Sequence, residues 1–247
     1  MPDLNLEKQY FDQIWAGAST RIKVTTGLDV PGLASLASKT ILICSCGTGV
    51  MPVKAANAGA TVYAVDISEV AVANAAAIAK YNGVNVHCSV QDLHCTDFED
   101  GFFDIVFGSA VLHHLEIAQA CHEFKRILKP GGVAVFESEP TFKNPFIKTA
   151  YEFAFGKGRE GRRRRFLFVT RTGTDNEKPL DKEEFKQIRD EFAAFRIVPR
   201  GFMLFQKLSH VTGGKLLGMT SWLDRTLFRF FPSVGSWSYE YDLILRK

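Results

Sequence analysis

Ile41-Leu42-Ile43-Cys44-Ser45-Cys46-Gly47-Thr48-Gly49 is the most informative stretch of this 247-residue sequence. Four apolar residues run into a tight G-x-G turn, and the helix-compatible segment Val50 to Ala58 follows. A second apolar run, Thr61 to Val65, ends on Asp66, 17 positions beyond Gly49. Strand, glycine turn, helix, strand and acidic residue in this order place a carboxylate where a ribose can donate hydrogen bonds to it. The ligand expected from this stretch is a nucleoside.

Strands and helices continue to alternate on its C-terminal side. Strands are predicted at Ile41 to Cys44, Thr61 to Val65, Val84 to Cys88, Phe103 to Phe107 and Val133 to Glu137, with helices at Val50 to Ala58, Ser68 to Tyr81 and Glu116 to Leu128. Asn82-Gly83 and Lys129-Pro130-Gly131-Gly132 close the second and third helices. This spacing requires right-handed crossovers and therefore a doubly wound, mostly parallel α/β sheet, whose ligands bind outside the carboxyl ends of the strands. Asp181-Lys182-Glu183-Glu184 opens a further helix running through Phe195 with Asp181 as its cap, and Phe195 to Val198 and Tyr239 to Leu245 supply strands six and seven. Before the core, Leu4, Leu6, Tyr10, Phe11, Ile14 and Trp15 keep helical spacing up to Gly17. Such a stripe packs on the core edge, and a competing reading has Tyr10, Phe11 or Trp15 closing over a bound ligand.

Hydrophobic residues make up 46% and charged residues 23%, a globular composition. The apolar windows are too short for a membrane span and the first ten residues lack a secretory pattern, so a cytoplasmic protein is expected. Five scattered cysteines do not suggest a disulfide framework. The net charge of +3 hides an asymmetry: residues 1 to 140 carry 9 Lys and Arg against 15 Asp and Glu, whereas residues 141 to 247 carry 21 against 12. The chain changes character near Pro140, from a cofactor-binding core to a substrate-facing region.

The segments Cys46-Gly47-Thr48-Gly49, Val65-Asp66-Ile67-Ser68, Gln91-Asp92-Leu93, Phe103-Asp104-Ile105-Val106, Val111-Leu112-His113-His114-Leu115 and Leu128-Lys129-Pro130-Gly131-Gly132 cover residues 41 to 139. In this order and spacing they resemble the class I, Rossmann-like S-adenosylmethionine-dependent methyltransferases, small-molecule type. The resemblance implies a seven-stranded sheet forming one methyltransferase domain over residues 1–247. Its parts would be a helical cap (1–40), a cofactor core (41–140), helical substrate-binding insertions (141–236) and a last strand (237–247). It implies further that Cys46, Gly47 and Gly49 bring the backbone to the methionine moiety. Asp66 and Ile67 would meet the ribose, Gln91, Asp92 and Leu93 the adenine, and Gly108-Ser109 the cofactor ammonium. The family pattern has an acidic residue two positions before its first glycine; here Ile43 and Ser45 stand in that motif, and Ser tolerates a positive φ less well than Gly. A dehydrogenase is disfavoured, because Val50-Met51-Pro52 follows where a third glycine would complete G-x-G-x-x-G.

A sulfonium donor arrives activated, so the protein supplies alignment, exclusion of water and, for some acceptors, a base. His113 and His114, after the fourth strand, and Glu139, after the fifth, are the candidates for base or acceptor contact, against the plainer reading that they cap turns. Glu137 and Glu139, two apart, share a face if the strand continues. His87-Cys88, His94-Cys95 and Cys121-His122 lack metal-ligand spacing, and no metal site is expected from them.

Beyond Pro140, Lys157 to Arg165 reads Lys-Gly-Arg-Glu-Gly-Arg-Arg-Arg-Arg. A solvated loop, an anion site for substrate, and contact with RNA or an anionic membrane surface compete for it. Leu216, Met219, Leu223, Leu227 and Phe230 keep helical spacing, as in a lid over an apolar pocket or a membrane-surface helix. The expected function is methyl transfer from S-adenosyl-L-methionine, leaving S-adenosyl-L-homocysteine, to a small hydrophobic or aromatic molecule. The alternatives are an RNA methyltransferase using Arg162 to Arg165 and a cofactor-binding protein without catalysis.

Overall fold

Strand β1 (Thr40–Cys44) is buried on both faces because its side chains alternate between two cores. Ile41 and Ile43 enter one apolar cluster with Ala55, Ala64, Ala75 and Phe107, while Leu42 and Cys44 enter the other with Phe124, Ile127 and Ile188. A computed structural model describes residues 4–155, 165–166, 169–170, 177–201, 222–223, 226, 230, 235–236 and 238–247. Around β1 it places α1 (Leu4–Trp15), α2 (Val50–Asn57), β2 (Thr61–Asp66), α3 (Glu69–Asn82), β3 (His87–Val90) and β4 (Phe103–Ser109). A 3₁₀ turn (Leu112–His114), α4 (Ile117–Ile127), β5 (Leu128–Pro140), α5 (Pro145–Phe155), α6 (Lys182–Glu191), β6 (Ala194–Gly201) and β7 (Glu240–Arg246) follow.

The seven-stranded sheet has the order β3-β2-β1-β4-β5-β7-β6. The first five are parallel, and β7 slots in antiparallel to both β5 and β6. The doubly wound, mostly parallel architecture is therefore present. Strand order reverses between β1 and β4, which opens a crevice at their carboxyl ends. Pro199 is tolerated in β6 because that strand lies at the sheet edge.

Several boundaries differ from expectation, three of them for a clear physical reason. β3 runs from His87 rather than Val84: after Gly83 closes α3 at φ 71, Val84 donates back to the Ala79 carbonyl, and Val84 and Val86 pack under α3 before pairing begins. β5 takes in the Lys129-Pro130-Gly131-Gly132 turn, because Leu128 already pairs with Phe103. α6 stops at Glu191, where Phe192 turns extended and buries against the core. Its start is as expected, with Asp181 in a reciprocal capping box with Glu184. The Leu216 to Phe230 pattern lies outside the described residues except for Trp222, Leu223, Thr226 and Phe230, and so do Lys157 to Arg164. Among the described residues no helix is long and apolar enough to cross a membrane.

A buried polar staple holds α4 to the loop before β4. Glu123 Oε1 accepts from the Thr96 amide at 2.8 Å, and the Arg126 guanidinium grips both Glu123 oxygens at 2.7 and 2.8 Å. Burial alone would raise the Glu123 pKa, but the Arg126 and Thr96 hydrogen bonds prevail and lower it below its ordinary 4.5. A carboxylate lowered on folding adds stability above its unfolded pKa and loses it as pH falls through the folded value. Glu123→Gln is therefore expected to destabilise the protein at pH 7, with the gap to wild type narrowing below about pH 4.5; urea unfolding at several pH values measures it. A gap independent of pH would contradict the charge-based account.

Candidate cofactor and acceptor site

A cavity of about 370 Å³ lies at the carboxyl ends of the parallel strands. Its floor is the turn after β1, where the chain holds three positive φ angles: Ser45 at 51°, Gly47 at 49° and Gly49 at 81°. Ser45 thus takes the left-handed conformation itself, and the Gly49 amide closes the turn on the Cys46 carbonyl at 2.8 Å. Ile43 is buried in the sheet, paired with Ala64 and Phe107.

The two glycines serve different ends. Gly47 lies in the cavity wall, where a Cβ would stand 3.2 Å from the Trp15 ring. Gly49 is outside the wall, and its Cβ would fall 2.5 Å from the Ala75 Cα, so it is there to let α3 approach the turn. Gly49→Ala is expected to cost about 2 to 4 kcal/mol, from the left-handed φ and the overpacking together, in a denaturant melt. A loss under 1 kcal/mol would show that this contact relaxes (~1 kcal/mol is the ordinary cost of one residue's propensity change).

Asp66 closes the second side. It is 5% exposed; its Oδ2 accepts from the Gly47 amide at 3.1 Å and its Oδ1 from the Ser68 amide at 3.0 Å. Burial raises its pKa, against the pull of the Ser68, Gly47 and Ile67 amides. Ile67, Gln91, Asp92 and Leu93 continue the wall from the ends of β2 and β3. Asp92 Oδ1 receives the His94 ring Nδ1 at 2.6 Å, and His94 Nε2 accepts from the Glu116 amide at 2.9 Å. His94 therefore carries its proton on Nδ1 and orients Asp92 from the start of α4. The Gln91 amide is engaged by Asp97, which donates its N–H to Gln91 Oε1 at 3.0 Å, so this side chain shapes the loop. Ser109 and Ala110 form the β4 side, but Gly108 does not reach the cavity. A Cβ at Gly108 would meet Val111 at 2.6 Å and Phe136 at 2.9 Å, so that glycine lets the 3₁₀ turn fold back on the sheet.

Helix α1 forms the roof. Leu4, Glu7, Phe11 and Trp15 recur every three or four residues and all line the cavity; Tyr10 does not. The helix is tethered to α3 by Lys8 on Glu69 at 2.5 Å, by the Ser68 hydroxyl donating to Asp12 at 2.5 Å, and by Asn74 on the Trp15 carbonyl at 2.9 Å.

The three residues expected to act on an acceptor separate. Glu139 is fully buried and its oxygens are occupied by the amides of Val111 at 2.8 Å and Leu112 at 3.0 Å and by His113 Nδ1 at 2.9 Å. Glu137 instead lies 3.2 Å from Arg200. The two carboxylates do not share a face, because the β5 to β7 register breaks after Phe136, where Ser138 takes φ 57. His113 does not line the cavity. Burial pulls its pKa down, but hydrogen bonding to Glu139 and Glu177 prevails and lifts it to about 9, so it holds its proton at neutral pH and is unsuited to act as a base. His114 does line the cavity, edge-on to Phe11, with Glu7 Oε2 3.7 Å from its Nδ1 and Glu177 Oε1 3.3 Å from its Nε2. Burial pushes the Cys46 thiol pKa far up, which suits packing and not nucleophilic attack.

Glu7, His94 and Glu177 were not among the residues expected at the site. Glu7 had a usable signal, lying four positions before Phe11 on the apolar stripe; Glu177 had none, since only tertiary folding brings it to the histidines.

The sheet order and the cavity with a buried acidic residue at the end of β2 define a Rossmann-like cofactor-binding fold. Residues 42–136 match the family described as "Methyltransferase domain". This segment is a class I, Rossmann-like S-adenosylmethionine-dependent methyltransferase domain. The chain is 33% identical over 101 residues to "Probable protein arginine N-methyltransferase 6" of Arabidopsis thaliana, covering 38% of this chain and 23% of that one. It is 32% identical over 144 residues to "Demethylmenaquinone methyltransferase" of Clavibacter sepedonicus, covering 57% of this chain and 54% of the relative. These matches thus span a quarter to about half the length of the curated relatives. The fold is also that of geranyl diphosphate C-methyltransferase from Streptomyces coelicolor A3(2), crystallised with Mg²⁺, geranyl diphosphate and S-adenosyl-L-homocysteine. The TM-score is 0.60 at 14% identity, with 100% of this chain and 98% of that chain covered.

Proposed function

We propose that this protein transfers the methyl group of S-adenosyl-L-methionine to a small, hydrophobic or aromatic acceptor. The observation that carries the reading is the roofed cavity itself: Leu4, Phe11, Trp15, Met51, Leu93 and Val111 give it an apolar lining, and Asp66, Asp92, Glu7 and His114 add a few polar groups. The cofactor fits this lining. Asp66 is placed to accept from the ribose, Asp92 to accept from the adenine amino group with Leu93 beside the ring, and the Gly47 backbone meets the methionine moiety without an obstructing Cβ. Bound there, the cofactor supplies a sulfonium-activated methyl group. Phe11 and Trp15 exclude water from it, and His114 contacts the acceptor. The division into cap (1–40), core (41–140), substrate-binding part (141–236) and last strand (237–247) belongs to the same reading. Demethylmenaquinone, in the name of one relative, and the geranyl chain of geranyl diphosphate, in the name of the structural neighbour, are apolar, which supports it.

The test is incubation of the purified protein with methyl-labelled cofactor and separate lipid, aqueous-metabolite and RNA fractions. Label in the lipid or apolar fraction is the expected result. Label confined to RNA would overturn the acceptor class in favour of the Arg162 to Arg165 reading, and binding without turnover in any fraction would overturn catalysis.

A further inference from the structure

We propose that His113, His114 and Glu177 form a binding site for one divalent transition-metal ion at the edge of the acceptor cavity. Both imidazoles present Nε2 to the same carboxylate oxygen: Glu177 Oε1 is 3.8 Å from His113 Nε2 and 3.3 Å from His114 Nε2. The three ligand atoms all lie within 4.8 Å of one another. An ion bound by nitrogen and oxygen at about 2.0–2.2 Å needs donors roughly 3.3 Å apart, so small side-chain adjustments close the set.

The surroundings of the ligands argue as strongly as the ligands. His113 turns its other nitrogen to a second carboxylate, with Nδ1 2.9 Å from Glu139, whereas Glu7 lies 3.7 Å from His114 Nδ1, beyond hydrogen-bond distance. A carboxylate behind a ligating imidazole fixes ring orientation and raises the basicity of the ligand, and the metal takes the place of the His113 Nε2 proton that faces Glu177, releasing it on binding. The backbone is held as well. The Lys178 amide donates to the His113 carbonyl at 3.0 Å and the Leu180 amide to the Pro140 carbonyl at 2.9 Å, which pins the residues after Glu177 against the 3₁₀ turn and the end of β5.

Two imidazoles and one carboxylate suit Zn²⁺, Co²⁺, Mn²⁺ or Fe²⁺, whereas Mg²⁺ prefers an all-oxygen shell. Three protein ligands leave a coordination position open, and the side chains of His113, His114 and Glu177, 9%, 15% and 22% exposed, let solvent reach it. Because His114 is also a cavity wall residue, that position faces the acceptor space. This last step rests on the methyl-transfer reading; the metal binding does not.

The experiment uses the tag-free full chain, stripped with chelator and titrated with Co²⁺. Expected is a visible d–d absorption saturating at one equivalent, displaced by Zn²⁺ and unaffected by excess Mg²⁺. Glu177→Gln and His114→Ala should each weaken Co²⁺ binding at least tenfold, whereas Glu99→Gln, a substitution at an exposed loop residue, should not. No Co²⁺ or Zn²⁺ binding by wild type, equal competition by Mg²⁺, a thiolate charge-transfer band, or unchanged affinity in folded Glu177→Gln would each overturn the site. S-adenosylhomocysteine binding is measured on the same samples: absent metal with intact cofactor binding sinks the metal site alone, and absent cofactor binding in wild type sinks the functional reading.

Discussion

Asp66→Ala is expected to weaken S-adenosylhomocysteine binding at least about 100-fold. The carboxylate is 5% exposed and lies in the cavity wall, so ribose hydroxyls that donate to it make charge-assisted bonds out of bulk water. Such bonds contribute about 1.5–3 kcal/mol each, and two of them correspond to a factor of about 100 or more. The substitution also strips the Gly47 and Ser68 amides of their acceptor and so loosens the turn that floors the cavity. Asp66→Asn should recover little, because its NH₂ would face one of those two amides. The same side chain sets a pH dependence. Burial raises its pKa, so binding should be complete at neutral pH and fall, on acidification, at a higher pH than an ordinary carboxylate would impose. Calorimetric titration across pH measures both effects; unchanged affinity in Asp66→Ala would contradict the ribose contact.

Glu139→Ala is expected to cost about 3–5 kcal/mol of folding stability, the range for breaking a buried charge pair by deleting one partner. Glu139 has no exposed surface and caps the 3₁₀ turn through the Val111 and Leu112 amides while holding His113. Its removal strands those amides in the core and leaves an imidazolium without its buried partner. In a chain of this size the melting temperature should fall by roughly 10 °C. Glu139→Gln should recover only part of the loss, since one of its two heads is a donor facing donors. A loss below about 1 kcal/mol would show that water replaces the carboxylate.

These two acidic residues show how far the site was legible in the sequence. Asp66 could be found because its environment is local: it ends a strand one crossover after the glycine turn, and the parallel sheet forces that end to the ligand side. Glu139 looked equivalent, a polar residue after the fifth strand, but its direction depends on a bulge at Ser138 that period-two alternation does not foresee. His113 and His114 were found together, with His113 favoured as the acceptor contact, yet His114 is the one that lines the cavity. Their rings lie side by side, with centroids 4.3 Å apart, and which one meets the cavity is set by the buried carboxylate that captures the other. For the fold, the apolar runs marked the seven strands, while the late start of β3 came from Val84 and Val86 packing under α3.

The sequence by itself determined the doubly wound sheet, the glycine turn and the acidic residue behind it, because hydrophobic period, turn chemistry and spacing act between neighbours along the chain. Tertiary structure alone decided that α1 roofs the cavity, that Gly49 answers to Ala75, and that His113, His114 and Glu177 converge. Those outcomes rest on contacts between residues tens of positions apart, whose geometry exists only once the strands are in register and the helices are packed.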